Sequence, residues 1–126
     1  MKNGHPLVAI VDDEESFRTA LGRLITSYGL NIATFESGQT LLDSLPARQP
    51  DCVLLDFSMP GLNGMDVLRL LQTAGWKLPV IMVTGRDQPT LRAQCLAAGA
   101  MAYFQKPADP AEFLQAIGEA VGGRAS

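Results

Sequence analysis

Five side chains with polar chemistry stand at or just beyond the ends of apolar runs. Asp12 and Asp13 come after LVAIV (7–11), Asp56 closes DCVLLD (51–56), Thr84 ends LPVIMVT (78–84), and Lys106 comes shortly after AMAYF (100–104). Two carboxylates ~4 Å apart repel by roughly 4 kcal/mol at the effective dielectric of a protein surface. Three gathered acids therefore need a cation. Oxygen donors without imidazole or thiolate select a hard ion, Mg²⁺ ahead of Ca²⁺ or Zn²⁺. Mg²⁺ keeps several waters, so few carboxylates and an open face suit it and leave room for a phosphoryl oxygen. Lys106 adds a second positive charge for such an anion, and Thr84 a neutral hydroxyl donor. Asp56 is a nucleophile that needs no base, and its attack on phosphorus makes an acyl phosphate.

Taken singly, each residue has a plainer use. Asp13 can cap the next helix, Thr84 can end a turn, Lys106 can be a solvated charge, and Asp56 can open the loop FSMPGLNG (57–64). Conjunction outweighs these readings, because the unusual types fall at the same end of separate apolar runs. The Pro/Gly loop behind Asp56 can also bend a backbone carbonyl toward a metal.

The elements that must position these residues alternate along the chain. Short Val- and Ile-rich runs at 7–11, 51–56 and 78–84 read as strands buried on both faces, with further strands at 30–35 and 100–104. Between them lie helical patterns. Phe17, Leu21, Leu24, Ile25 and Tyr28 recur at helical spacing behind the acidic Glu14 and Glu15, and Gly29 stands where a C-cap belongs. Ser37 caps a helix through Leu41, Leu42 and Leu45, and Asn63 one through Met65, Val67, Leu68 and Leu71. Residues 89–99 form the next, and Asp109 caps the last, with Phe113, Leu114, Ile117 and Val121 on its apolar side. Residues 1–121 make one α/β domain, and 122–126 (GGRAS) read as a flexible tail or the start of a linker. Five β/α units imply a doubly wound parallel sheet with helices on both faces, which binds ligands beyond the carboxyl ends of its strands.

Composition narrows the function classes. The 126 residues are 47% hydrophobic and 18% charged with net charge −3, and Lys and Arg are scattered singly. No basic field invites direct nucleic-acid binding. No run approaches a membrane span or a secretory signal, so a cytoplasmic location is expected. Cys52 and Cys95 form no CxxC pair and read as reduced packing residues, and His5 as a solvated one.

The segments IVDDE (10–14), LLDFSMPGLNG (54–64), VTG (83–85) and YFQKP (103–107) resemble, in order and spacing, the response-regulator receiver domains of two-component signalling. The likeness runs from about Val8 to Ile117, and DFSMPGLNG with VTGRD is most similar to the subgroup that often precedes a helix-turn-helix output domain. It implies a flavodoxin-like strand order 2-1-3-4-5. It makes Asp56 the phosphoacceptor, Asp12 and Asp13 Mg²⁺ ligands with Asp56, and the backbone carbonyl of Ser58 a further ligand. Thr84 and Lys106 would contact the phosphoryl group. Tyr103, which on an edge strand can equally be packing or interface area, would be the switch ring that turns inward with Thr84, and the Lys106–Pro107 bond would be cis. Ala108 and Ser58 depart from the commonest residues at their positions.

The resemblance also implies partners: a sensor histidine kinase, an output domain or downstream protein, and a phosphorylation-linked homodimer through helix 4, strand 5 and helix 5. On this reading the chain is a phosphoacceptor with only slow self-dephosphorylation, not an enzyme of multiple turnover. Two other readings compete. A magnesium-dependent phosphohydrolase with an Asp nucleophile wants an acid two positions on, where this chain has Ser58. An interaction module that is never phosphorylated has no use for the intact Asp12, Asp13, Asp56, Thr84 and Lys106.

Overall fold

The computed structural model describes residues 5–85 and 88–125. Arg86 and Asp87 of the VTGRD segment, Ser126 of the GGRAS segment, and residues 1–4 lie outside the described residues. The elements alternate without exception: β1 (Leu7–Val11), α1 (Glu15–Ser27), β2 (Asn31–Phe35), α2 (Gly38–Ser44), β3 (Cys52–Asp56), α3 (Gly64–Thr73), β4 (Val80–Thr84), α4 (Leu91–Ala97), β5 (Ala102–Gln105) and α5 (Pro110–Ala125). All four strand pairings are parallel, in the order β2-β1-β3-β4-β5. That is the expected doubly wound order.

The period-2 alternation of each central strand sorts its side chains between two cores. Ala9, Val11, Val53, Leu55, Val80 and Met82 face α2, α3 and α4, where Leu41, Leu68, Leu71 and Leu91 meet them. Val8, Ile10, Leu54, Ile81 and Val83 face α1 and α5, against Leu21, Ile25, Phe113 and Ile117. Every residue of β1, β3 and β4 is buried. This explains why those strands read as unbroken apolar runs. Cys52 belongs to one core and Cys95 to the other, so the sheet separates the two free thiols.

Local chemistry sets the helix ends. Ser37 Oγ accepts the Thr40 N–H at 3.2 Å. Asn63 and Asp66 form a reciprocal capping box, with bonds of 2.8 and 2.9 Å. Asp109 Oδ1 accepts the Ala111 N–H at 2.9 Å. Gly29 ends α1 with φ +84°, a conformation that costs an L side chain energy.

Several boundaries differ from the sequence reading: β2, β3 and α4 are trimmed by one or two residues at an end, and three further differences are larger or have a stated cause. Strand β4 starts at Val80 rather than Leu78, since Pro79 has no N–H to give and only its carbonyl pairs, with Val53 N. Strand β5 runs from Ala102 to Gln105, displaced toward the Lys106 end. Helix α5 continues to Ala125, so residues 122–125, read as a flexible tail or the start of a linker, are helical here.

Candidate functional site

The carboxyl edge of the sheet gathers the residues singled out by type. Asp12 comes directly after β1, Asp56 is the last residue of β3, and Thr84 the last of β4. Register then brings the fifth in. Thr84 pairs with Gln105 across β4 and β5, and the Lys106 N–H donates to the Thr84 carbonyl at 2.7 Å. The Lys106–Pro107 peptide is cis, as expected.

One carboxylate oxygen each from Asp12, Asp13 and Asp56 lies within 4.8 Å of the others. Asp12 and Asp56 are buried, while Asp13 is exposed at the rim. Neither cysteine nor His5 joins this group, so the donors are all hard oxygens. Such a set fits a small hard divalent cation.

Lys106 brings a positive charge to these acids. Its Nζ donates to Asp12 Oδ2 at 2.8 Å, and lies 3.6 Å from Asp56 Oδ1 and 3.5 Å from Glu14 Oε1. Burial pulls the Lys106 ammonium down, but the Asp12 hydrogen bond and the charges of Asp56, Asp12 and Glu14 outweigh it and leave its pKa raised. Asp56 gains less from the contact. Burial first, then the Asp12 charge, pushes its carboxyl up to about 7. Lys106 and the Ser58 N–H that bonds the carboxylate pull the other way without winning, and Asp13 adds a smaller upward push. Among the described residues, Asp12, Asp13, Asp56 and Glu14 bring more negative charge than the Lys106 ammonium offsets.

Asp12 is fixed at every polar atom. Its N–H donates to Phe35 O at 3.1 Å, Oδ1 accepts the Glu14 N–H at 2.9 Å, Oδ2 takes Lys106, and its carbonyl accepts Arg18 Nη1 at 2.6 Å. Glu14, not Asp13, occupies the N-cap position of α1. Asp13 is left at the rim among the possible ligands.

The start of α3 holds Asp56 in place. Gly64 N donates to Phe57 O at 2.8 Å, and a Cβ on Gly64 would fall 2.9 Å from Asp56 O and 2.8 Å from Phe57 Cα. Only glycine lets α3 begin so close to the end of β3. The side chain of Ser58 is exposed within the loop between them.

Tyr103, on the edge strand β5, is 6% exposed and packs in the core of the α2–α4 side. Arg92 lies over its ring at 5.9 Å and donates to its carbonyl at 3.3 Å. Thr84 is fully buried.

Sequence reasoning missed the supporting residues. Glu14 was read as helix-end charge and Phe17 as core stripe, yet both touch Lys106, Phe17 through its ring face at 4.1 Å. Arg18 went unremarked. Its only sequence signal was a cation one turn into α1, beside the paired acids.

Comparison with known proteins agrees with this geometry. The family model of the response regulator receiver domain matches residues 8–118. The DNA-binding transcriptional regulator NtrC of Klebsiella pneumoniae is 37% identical over 112 residues, covering 89% of this chain and 24% of that protein. The response regulator protein TodT of Pseudomonas putida is 32% identical over 117 residues, covering 93% of this chain and 52% of that protein. The chain thus spans between a quarter and about half of these relatives. A response regulator receiver protein from Burkholderia phymatum superposes with TM-score 0.82 at 42% identity, covering 93% of this chain and 95% of that one. The Francisella response regulator 1452 receiver domain shares the fold with TM-score 0.90 at 21% identity, over 97% and 100% of the two chains. The match across nearly the whole folded unit, with the acids and Lys106 gathered at one sheet edge, makes this chain a member of the response regulator receiver domain family of two-component signalling.

Proposed function

We propose that this chain accepts a phosphoryl group from a phosphohistidine of a sensor histidine kinase onto Asp56, and that the modification switches a protein-binding face. The observation that carries the reading is the meeting of Asp12, Asp13 and Asp56 oxygens within 4.8 Å, with Lys106 Nζ 3.6 Å from Asp56. Asp12, Asp13, Asp56 and the backbone carbonyl of Ser58 would hold Mg²⁺. When bound, Mg²⁺ supplies charge that offsets the crowded carboxylates and the incoming phosphoryl oxygens.

The chain's own residues do the rest. An Asp56 oxygen attacks phosphorus as the phosphorus–nitrogen bond breaks, and the electron pair returns to the imidazole. Lys106 balances charge on the transferring group, and the Thr84 hydroxyl donates to it. The phosphate adds about two negative charges, which draw Thr84 and Lys106 inward. Tyr103 shifts with Thr84 and re-forms the face of α4, β5 and α5. That face then binds a second copy, an output domain or a downstream protein. The chain works in the cytoplasm and leaves nucleic acid to its partners. Among the described residues no helix is long and apolar enough to cross a membrane.

The test is labelling by acetyl phosphate. Wild type takes up label only with Mg²⁺, and Asp56→Asn takes up none. Label that survives the substitution removes Asp56 from the role.

A further inference from the structure

The family's site residues leave two contacts of Lys106 unused, Glu14 and an aromatic ring. Besides Asp12, Asp56 and Glu14, its ammonium lies 4.1 Å from the centroid of the Phe17 ring. Phe17 stands in the first turn of α1, half-buried and packed against the core beneath α1 and α5. Arg18, next to it, bonds the Asp12 carbonyl, so the start of α1 is tied to the same strand end that carries the acids. The Lys106 side chain is only 15% exposed. Cation–ring attraction is stronger where water is kept away.

The four neighbours of the ammonium act differently. The nearest, Asp12 at 2.8 Å, takes a directed hydrogen bond, whereas Asp56 stands back at 3.6 Å. Lys106 must redirect its protons from Asp12 to a phosphoryl oxygen for the chemistry proposed above. A carboxylate competes for those protons. A ring face attracts the charge electrostatically and takes no proton, so its hold persists while the donors swing.

We propose that Phe17 is a positioning residue, a π-platform that keeps the Lys106 ammonium beside Asp56 while its hydrogen bonds pass from Asp12 to the phosphoryl group. This inference rests on the phosphoacceptor reading of Asp56. It predicts that the aromatic face matters and that apolar bulk does not replace it.

The experiment uses the full chain with Phe17→Leu, which keeps apolar volume, and Phe17→Tyr, which keeps the ring. Acetyl phosphate labelling with Mg²⁺ is expected to slow roughly threefold to tenfold in Phe17→Leu and to recover in Phe17→Tyr. In parallel, NMR reads the Lys106 Hε resonances, which a ring face at this distance shifts upfield. That shift is lost in Phe17→Leu and kept in Phe17→Tyr. Labelling at the wild-type rate in a folded Phe17→Leu protein overturns the proposal, as does an unshifted Lys106 in wild type. If Phe17→Leu does not fold, Phe17→Met takes its place with the same expected outcomes. A wild type that takes no label but shows the shifted Lys106 sinks the phosphoacceptor reading and the positioning role together. Label that persists in Asp56→Asn sinks that reading and with it the positioning role, whereas wild-type labelling in a folded Phe17→Leu protein, with Asp56→Asn silent, sinks the positioning role alone.

Discussion

Asp51 and Asp56 bracket the same strand, both carboxylates buried, and they lead opposite lives. Asp51, just before β3, is 6% exposed, and its Oδ2 accepts the Leu7 N–H at 2.8 Å. It joins the start of β1 to that of β3, and its charge, after burial, helps push the neighbouring Cys52 thiol up to about 12. Asp56, 4% exposed at the other end, faces two further acids and a lysine no nearer than a loose ion pair. Burial alone therefore does not separate the proposed phosphoacceptor from a structural carboxylate. What separates the two is surplus like charge. The amino edge of the sheet spends its acid on a backbone donor, and the carboxyl edge keeps one in excess.

The sharpest break of this comparison is chemical. Asp51→Asn is expected to label with acetyl phosphate at nearly the wild-type rate, against complete loss in Asp56→Asn. Equal loss in both, with both folded, would mean that labelling reports integrity of the sheet rather than one nucleophile.

The next effect is on stability against pH. Asp56 has its pKa raised from 3.8 to about 7, so the native state keeps a proton that the unfolded chain gives up. The contribution of Asp56 to the stability of the metal-free protein is thus fully present below about pH 4 and is lost as pH climbs to about 7, on the order of 4 kcal/mol as an upper bound. Urea midpoints measured in EDTA should fall across that window. The fall should vanish in Asp56→Asn and shrink when Mg²⁺ is added. Asp51→Asn should keep it.

Asp51→Ala probes the other end. It strands the Leu7 N–H, which the Asp51 side chain satisfies at the buried start of β1. A cost of about 1–3 kcal/mol is expected in urea unfolding, with labelling of the folded fraction unchanged. Smallest is Asn63→Ala, which removes the capping box of α3 and should cost about 1 kcal/mol. Its labelling rate should stay within about threefold of wild type, since Gly64 still bonds the strand end.

Much of this was legible in the amino acids because burial on both faces writes itself as unbroken apolar runs. β1 matches its run at Leu7–Val11, and β3 ends at Asp56 as read. The site acids were visible because each comes at or next to such an end. What stayed hidden depends on distances the chain does not encode locally. Phe17 and Lys106 are far apart in sequence and meet only once α1 and β5 are docked on the same sheet. Asp51 read as part of a strand because its partner, the Leu7 N–H, belongs to a different element. Pro79 shortened β4 by a rule of backbone donors that the apolar pattern around it concealed.

The glycine contact between β3 and α3 has a mechanical consequence. With Gly64 seated against Asp56 and Phe57, and α3 stapled by Asn63 and Asp66, strand and helix form one stiff body. Helix α4 is shorter, and its N-cap residue Thr90 makes no side-chain cap hydrogen bond. A load applied at Asp56 is expected to meet a stiffer support in α3 than in α4.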